Sequence, residues 1–249
     1  LYRQAAASLP AAMLQVETGM HRSGYDGPVS ALNGVPLTAV FSHLACADEP
    51  EHPLNASQLQ AFLAWRAALL PGREGLRCSL GASWACLGLP ASYHFDFVRA
   101  GAALYGAIPH PALRPVVELT APVLETRRVD TGGAVGYGAA HAAARPLTVA
   151  TLGLGYADGY PRALSGKGRV MLAGRAAPVI GRVSMDMLTV DITGLEDEAA
   201  GAGTAQVYGD AYTVNDAAAD AGTIGYEILT RLGGRIQWRH ASEGLTGHD

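Results

Sequence analysis

The chain has 249 residues, 49% hydrophobic and 16% charged, with a formal net charge of −4, which allows one large domain or two modest ones. The nearly balanced charge excludes a basic nucleic-acid-binding stripe or an acidic tail, and no apolar run approaches the roughly 20 residues that cross a membrane. Three cysteines at unrelated spacings, Cys46, Cys78 and Cys86, predict no disulfide framework or metal site and favour a reducing, cytoplasmic location.

The first part of the chain alternates short strands with loops and a helix. Apolar runs predict strands at residues 13–17, 35–41, 76–80 and 93–98, and a helix at 55–70 whose apolar residues recur at three and four positions. This order is typical of a parallel βα array. Polar side chains follow the strands, as in the active site of a (β/α)8 barrel, and they are Arg22, His43, Ser83 and Arg99.

Only about four of the eight βα units of such a barrel precede residue 115, and four strands alone would leave open edges. The chain starts at Leu1 rather than at a methionine, and residues 1–12 are predicted to be the end of an amphipathic helix. We therefore expect residues 1–115 to be the C-terminal half of a barrel, with the other half upstream.

A proline-rich hinge at residues 109–115 leads to a second domain, residues 116–249, which is predicted to be mainly β. Short runs of β-branched and aliphatic residues separated by glycine and proline favour antiparallel strands. The predicted strands are 116–129, 147–155, 169–172, 177–182, 188–192 and 205–208. Residues 196–203 are predicted to be a polar connection, and 214–221 and 223–229 helices.

The turn after residue 155 carries a phenol, a carboxylate, a second phenol and a guanidinium, from Tyr156, Asp158, Tyr160 and Arg162. Hydrogen-bonding side chains on a stiff β scaffold are typical of functional loops. The segment 155–162, GYADGYPR, followed by 181–187, GRVSMDM, resembles the alanine racemase family, whose members depend on pyridoxal phosphate (PLP).

The resemblance implies racemisation of L- and D-alanine through a PLP aldimine by two bases. Tyr156 would move the Cα proton on one face of the substrate, and a lysine absent from this part of the sequence would act on the other. A free phenol has a pKa near 10, so lowering the pKa of Tyr156 requires cations nearby. Arg99 acting through His43 is the candidate source of this positive charge. Arg22 would bind the cofactor's phenolic oxygen and the substrate carboxylate.

Arg99 would face the pyridine nitrogen and, because a guanidinium only donates, would leave that nitrogen unprotonated. The resemblance assigns the phosphate to four further residues: the Ser83 hydroxyl, the Gly101 and Ala102 N–H groups and the Tyr226 phenol. It assigns the backbone N–H of Met185 to the substrate carboxylate, and it implies a homodimer with shared active sites.

The sequence departs from the family pattern in its lysines. Its single lysine, Lys167, lies in a glycine-flanked turn that matches no PLP-lysine motif. Gln15 stands where some members have a modified lysine, so it would position Arg22 as a neutral amide, and Ala82 stands where the family has asparagine. Two alternatives remain: a PLP-dependent racemase of another small amino acid, or a non-catalytic fragment that needs a complementary chain.

Overall fold

The computed structural model describes residues 11–240, so most of the helix predicted for residues 1–12 lies outside the described part. The chain divides into two compact units, residues 1–104 and 105–249.

The first unit contains a three-stranded parallel sheet in the order β1 (Ala12–Gln15), β2 (Leu37–Phe41) and β3 (Arg77–Ser79). Helix α1 (Pro53–Leu69) connects β2 to β3, and the short helix α2 (Ser83–Gly88) follows β3. Single 3-10 turns lie at Val29–Leu32, Ala91–Tyr93 and Ala102–Tyr105. The predicted parallel α/β arrangement is therefore present, with strand ends within a few residues of their predicted positions.

The strand predicted at residues 93–98 is wrong. Phe95 has φ 57°, which breaks an extended run, and its ring packs edge-on against Phe62 with 4.9 Å between centroids. Asp96 replaces the missing ladder: its N–H donates to the Cys78 carbonyl (3.0 Å) and its carboxylate accepts from the Cys78 N–H (2.7 Å). One parallel bridge, between Ala82 and Arg99, is the remaining strand-like pairing there.

Helix α1 begins two residues before its predicted start, with Pro53 in the first turn and the ring Nδ1 of His52 accepting from the Leu54 N–H (3.2 Å). Its buried face differs from the apolar one predicted, because Asn55 and Gln58 are buried beside Phe62 and Leu69 whereas Leu63 is 36% exposed. Two buried amides on one helix face need partners nearby.

The second unit is a closed six-stranded antiparallel barrel, as the mainly β prediction implies. Its strands are β4 (Leu119–Val129), β7 (Leu147–Leu152), β8 (Arg169–Leu172), β9 (Arg175–Ile180), β10 (Leu188–Asp191) and β11 (Thr204–Tyr208). Their order is β10-β7-β4-β11-β8-β9, closed by pairing of β9 with β10. Side chains that alternate inward along each strand form the core, including Leu152, Val170, Val179 and Val190.

Smaller elements flank the barrel. A ribbon pairs β5 (Ala134–Val135) with β6 (His141–Ala142), and three helices are α3 (Glu196–Ala202), α4 (Val214–Ala221) and α5 (Gly225–Arg231). The segment predicted as a polar connection is therefore a helix. Its first turn holds three acidic residues, which the positive end of the helix dipole favours.

Candidate functional site

The loop that carries Arg22 follows β1 and is held by the carboxylate of Glu17. One oxygen of that carboxylate accepts from the N–H groups of Gly19, Met20 and His21, at 2.5, 2.8 and 3.1 Å. Burial acts to raise the pKa of Glu17, but these N–H donors hold it below its ordinary value. These hydrogen bonds fix the backbone just before Arg22. Arg22 itself is exposed, so its guanidinium faces solvent.

Gln15, which is predicted to position Arg22, forms its side-chain hydrogen bonds with the residue after Arg22. Its amide Nε2 donates to the carbonyl and the hydroxyl of Ser23, at 3.0 and 3.1 Å. Gln15 therefore holds the residue after Arg22, because its side chain is committed to Ser23.

Arg99 is half-buried and its guanidinium is fixed by the ends of β2 and β3. It donates to the Ser79 carbonyl (3.1 Å), the Ser79 hydroxyl (2.6 Å), and the carbonyls of Ser42 and Leu80. Its carbon Cζ lies 5.0 Å from the centroid of the Phe41 ring. Burial lowers the pKa of Arg99, but a guanidinium remains charged at any ordinary pH.

Arg99 also fixes the tautomer of His43. Its Nη2 lies 3.4 Å from His43 Nδ1, and a guanidinium can only donate, so Nδ1 is the acceptor. The proton of the neutral imidazole therefore lies on Nε2. Burial, then the charges of Arg99 and Arg22, hold the pKa of His43 below its ordinary value. The positive charges of Arg22 and Arg99 thus act on the neutral imidazole of His43. Together these three predicted site residues form one cationic group.

The depressed pKa of His43 predicts a pH dependence of stability. As pH falls below about 6.5, the unfolded chain binds this proton before the folded chain does. The free energy of unfolding is therefore expected to fall in that window, and His43 is expected to have no effect on it above the window. Urea unfolding of the wild type and His43→Gln between about pH 8 and pH 5 measures this. The wild type should lose its advantage towards acid, and a constant difference would contradict the prediction.

Ser83 and the loop at 101–103 form a second group in the same unit. The buried Ser83 hydroxyl oxygen accepts from the N–H groups of Gly101 (2.9 Å) and Ala103 (3.2 Å), so its proton is free to donate. A side chain built on Gly101 would meet nothing within 4 Å, so the space beside this loop is open. A free hydroxyl, exposed backbone and open space fit a phosphate group such as that of PLP.

In the second unit, the Tyr156 turn and the Met185 loop are joined by backbone hydrogen bonds. The Tyr156 N–H donates to the Ser184 carbonyl (3.1 Å), and the Ala157 N–H donates to the Met185 carbonyl (2.8 Å). A Cβ on Gly155 would lie 2.4 Å from Met185 backbone atoms, so this approach needs glycine. Tyr156 and Met185 are 44% and 58% exposed, and both side chains are accessible.

Asp158 braces this turn. One carboxylate oxygen accepts from the Gly155 N–H (2.9 Å), and the other accepts from Arg235 Nε (2.8 Å). The Gly233 N–H donates to the Asp158 carbonyl (3.0 Å). The segment that follows α5 therefore holds the Tyr156 turn, a contact across 77 residues that sequence spacing could not indicate.

An open cleft of about 690 Å³ lies beside Tyr156, and its other lining residues are Gly159, Tyr160, Pro161, Arg162 and Arg231. Tyr226, the predicted phosphate ligand, is 41% exposed in the first turn of α5.

Within residues 11–240 there is no group of three His, Cys, Asp or Glu side chains that could hold a metal ion. Over the same range, no helix is long and apolar enough to cross a membrane.

By class, this is an α/β chain with two units. The parallel-sheet unit carries Arg22 and His43 in the loops after β1 and β2 and holds the Arg99 guanidinium against the ends of β2 and β3, and the β-barrel unit exposes the braced phenol of Tyr156. The alanine racemase N-terminal domain model matches residues 2–109, and the alanine racemase C-terminal domain model matches residues 116–240. The chain belongs to the alanine racemase family.

Two relatives give the scale of the similarity. The alanine racemase of Jannaschia sp. (strain CCS1) is 45% identical over 227 residues, which are 90% of this chain and 64% of the relative. That of Rhodospirillum rubrum is 44% identical over 250 residues, covering 95% of this chain and 65% of the relative. The chain thus spans just under two thirds of the length of these relatives.

Solved structures are similar over the same extent. The biosynthetic alanine racemase of Pseudomonas aeruginosa is 36% identical with a TM-score of 0.83, over 96% of this chain and 70% of that one. The Bartonella henselae alanine racemase, solved with covalently bound pyridoxal phosphate, is 36% identical with a TM-score of 0.81, over 90% of this chain and 65% of that one.

Proposed function

We propose that this protein takes part in the PLP-dependent racemisation of alanine, with Tyr156 as one of two bases. The observation that carries the proposal is the fixed guanidinium of Arg99 in contact with His43 Nδ1. A charged donor that cannot accept a proton is the group expected opposite a pyridine nitrogen that stays unprotonated. The Nε2–H of His43 is then available to donate to a phenolate oxygen.

The residues of this chain that would hold the cofactor fall into two groups. The Ser83 hydroxyl, the Ala102 N–H and the Tyr226 phenol would bind its phosphate, and the Gly101 N–H would join them by leaving the Ser83 oxygen to which it donates here. Arg99 would face its pyridine nitrogen, and Arg22 would donate to its phenolic oxygen. When bound, PLP supplies an electron sink that acidifies the Cα–H of the amino acid. Arg22 and the Met185 N–H would hold the substrate carboxylate, and Tyr156 would take or return the Cα proton.

The architecture in this proposal is part of a (β/α)8 barrel, residues 1–115, followed by a β domain, residues 116–249. Three parallel strands followed by loops with polar residues support the first part. We also propose a homodimer in which the Tyr156 turn of one subunit approaches the barrel of the other. The exposure of both Tyr156 and Met185 is consistent with a surface that meets a partner.

A racemase built from this chain alone would have no lysine in its first unit to act as the second base. Residues 1–104 contain no lysine, and Lys167 lies in a turn of the second unit, where its N–H donates to the Leu164 carbonyl (3.1 Å). This favours the alternative that the chain is inactive until a lysine-bearing segment completes it. Activity on a different small amino acid remains the other alternative.

A hybrid protein tests the proposal. The part of the Rhodospirillum rubrum racemase that this chain does not span is joined ahead of it, and interconversion of L- and D-alanine is measured by chiral chromatography. We expect racemisation by the hybrid and none by the chain alone. Lys167→Arg is the control, because removing this turn lysine should leave the rate unchanged. A folded, PLP-loaded hybrid that leaves alanine unchanged, or prefers another amino acid, would overturn the assignment.

A further inference from the structure

The side-chain amide of Gln58 is fully buried on helix α1 and uses both of its ends. Nε2 donates to the His43 carbonyl (2.9 Å) and to the Thr18 hydroxyl (3.2 Å), and Oε1 accepts from the Ala45 N–H (2.8 Å). Gln58 is 0% exposed. One amide therefore satisfies three polar groups that belong to two separate loops.

The hydrogen bonds continue from Gln58 in a single direction. The Ser42 hydroxyl donates to the Val16 carbonyl (2.8 Å), so it must accept from Thr18 Oγ1, which is 2.7 Å away. Thr18 Oγ1 in turn accepts from Gln58 Nε2. Each hydroxyl proton has one acceptor, so the network has one arrangement and cannot reverse without leaving a buried donor unpaired.

These loops carry the cationic group. Thr18 begins the loop that leads to Arg22, and His43 and Ala45 lie in the loop after β2, where the Ser42 carbonyl accepts from Arg99. An aliphatic side chain at position 58 would leave the His43 carbonyl and the Ala45 N–H without this partner, and unpaired buried polar groups destabilise the fold. A buried amide on helix α1, at a position outside the predicted apolar face, therefore sets the distance between two loops.

We propose that Gln58 is a positioning residue, which fixes His43 against Arg99 and holds the Arg22 loop beside them. The inference rests on the proposed racemase function for its purpose, since Gln58 contacts neither cofactor nor substrate. The positioning role can be tested without activity. The contact between His43 Nδ1 and Arg99 is already long, at 3.4 Å, so a small shift of His43 would break it.

Asn55 provides a matched control on the same helix face. It is 1% exposed, and its Nδ2 donates to the carbonyls of Cys46 (3.0 Å), Glu49 (2.9 Å) and Pro50 (3.4 Å). Asn55→Leu thus removes a buried amide that holds the far end of the His43 loop, without touching His43, Ala45 or Thr18. If Gln58→Leu and Asn55→Leu lose similar stability but only Gln58→Leu changes His43, the change comes from lost positioning and not from a general weakening of α1.

The experiment measures the His43 ring by 15N NMR across pH, in the whole chain, for the wild type, Gln58→Leu and Asn55→Leu. In Gln58→Leu we expect Nδ1 and Nε2 to share the proton and the pKa of His43 to rise towards about 6.5, while Asn55→Leu keeps the wild-type pattern. Gln58→Asn, which retains a shorter amide and the fold, should move the signals the same way by less.

An unchanged His43 in Gln58→Leu and Gln58→Asn, or an equal change in Asn55→Leu, would overturn the proposal. In the hybrid protein, Gln58→Asn should lower kcat for alanine more than Asn55→Leu does, and equal kcat values would also count against it. A hybrid that does not racemise alanine overturns the proposed function, whereas the NMR result on this chain still decides the positioning role.

Discussion

Tyr156→Phe in the hybrid protein is expected to lower the rate of alanine racemisation by about 10²–10⁴-fold, the usual contribution of a positioned acid or base. Racemisation needs a proton removed from one face and returned on the other, so losing either base slows both directions. Exchange without inversion needs one base alone. One enantiomer should therefore still exchange its Cα hydrogen with deuterium from solvent at close to the wild-type rate.

The measurement is deuterium incorporation at Cα from each enantiomer separately, followed by NMR and chiral separation. Tyr160→Phe is the matched control, four residues away in the same turn. Tyr160 is 1% exposed and its hydroxyl has no hydrogen-bond partner among the described residues, so the substitution should leave the rate unchanged. Burial, then the nearby Asp220 carboxylate, raises the pKa of Tyr160 far above its usual value, which excludes it as a base. Equal slowing of exchange for both enantiomers in Tyr156→Phe would contradict the assigned role.

The sequence predicts the barrel strands well because their signals are local. Residues 188–191 alternate apolar and polar side chains, and this alternation matches their buried and half-buried positions. In residues 147–152 the apolar side chains are also the buried ones, although Val149 and Ala150 are both buried and interrupt the alternation. The turn at Ala173-Gly174 has φ values of 46° and 80°, which is the left-handed conformation that a tight hairpin requires.

The failed strand at residues 93–98 shows where local signals end. Its aromatic and aliphatic residues alternate as in a strand, but Phe95 leaves the extended conformation to pack on Phe62, and the Asp96 carboxylate takes a ladder position. Tertiary packing overrides strand propensity here.

The candidate site divides in the same way. Arg22 and His43 follow strands and Tyr156 sits in a distinctive motif, so residue type and order point to them. Arg99 is predicted to follow the strand at 93–98, which does not form. Gln58 and Arg235 act through partners 15 and 77 residues away, and neither has a local pattern. The residues that hold the site together therefore become visible only when the fold brings their partners to them.

Arg99→Leu is expected to lower the free energy of unfolding of the first unit by about 2–4 kcal/mol. The guanidinium satisfies carbonyls of Ser42, Ser79 and Leu80, and an unpaired buried carbonyl costs about 1–3 kcal/mol. The sum is reduced because Arg99 is only half-buried, so water can replace some of these bonds. Urea unfolding followed by tryptophan fluorescence measures it, since Trp65 and Trp84 lie in this unit.

Arg77→Leu separates loss of these bonds from loss of an arginine. Arg77 is an exposed residue at the start of β3, and its contact is the face of Phe97, 5.3 Å from guanidinium carbon to ring centroid. An exposed contact of this kind contributes about 0.5–1 kcal/mol, so this variant should lose no more than that. Only Arg99→Leu should also raise the pKa of His43, because it removes a neighbouring positive charge. If the two variants lose equal stability and His43 titrates alike in both, the guanidinium of Arg99 does not organise these strand ends.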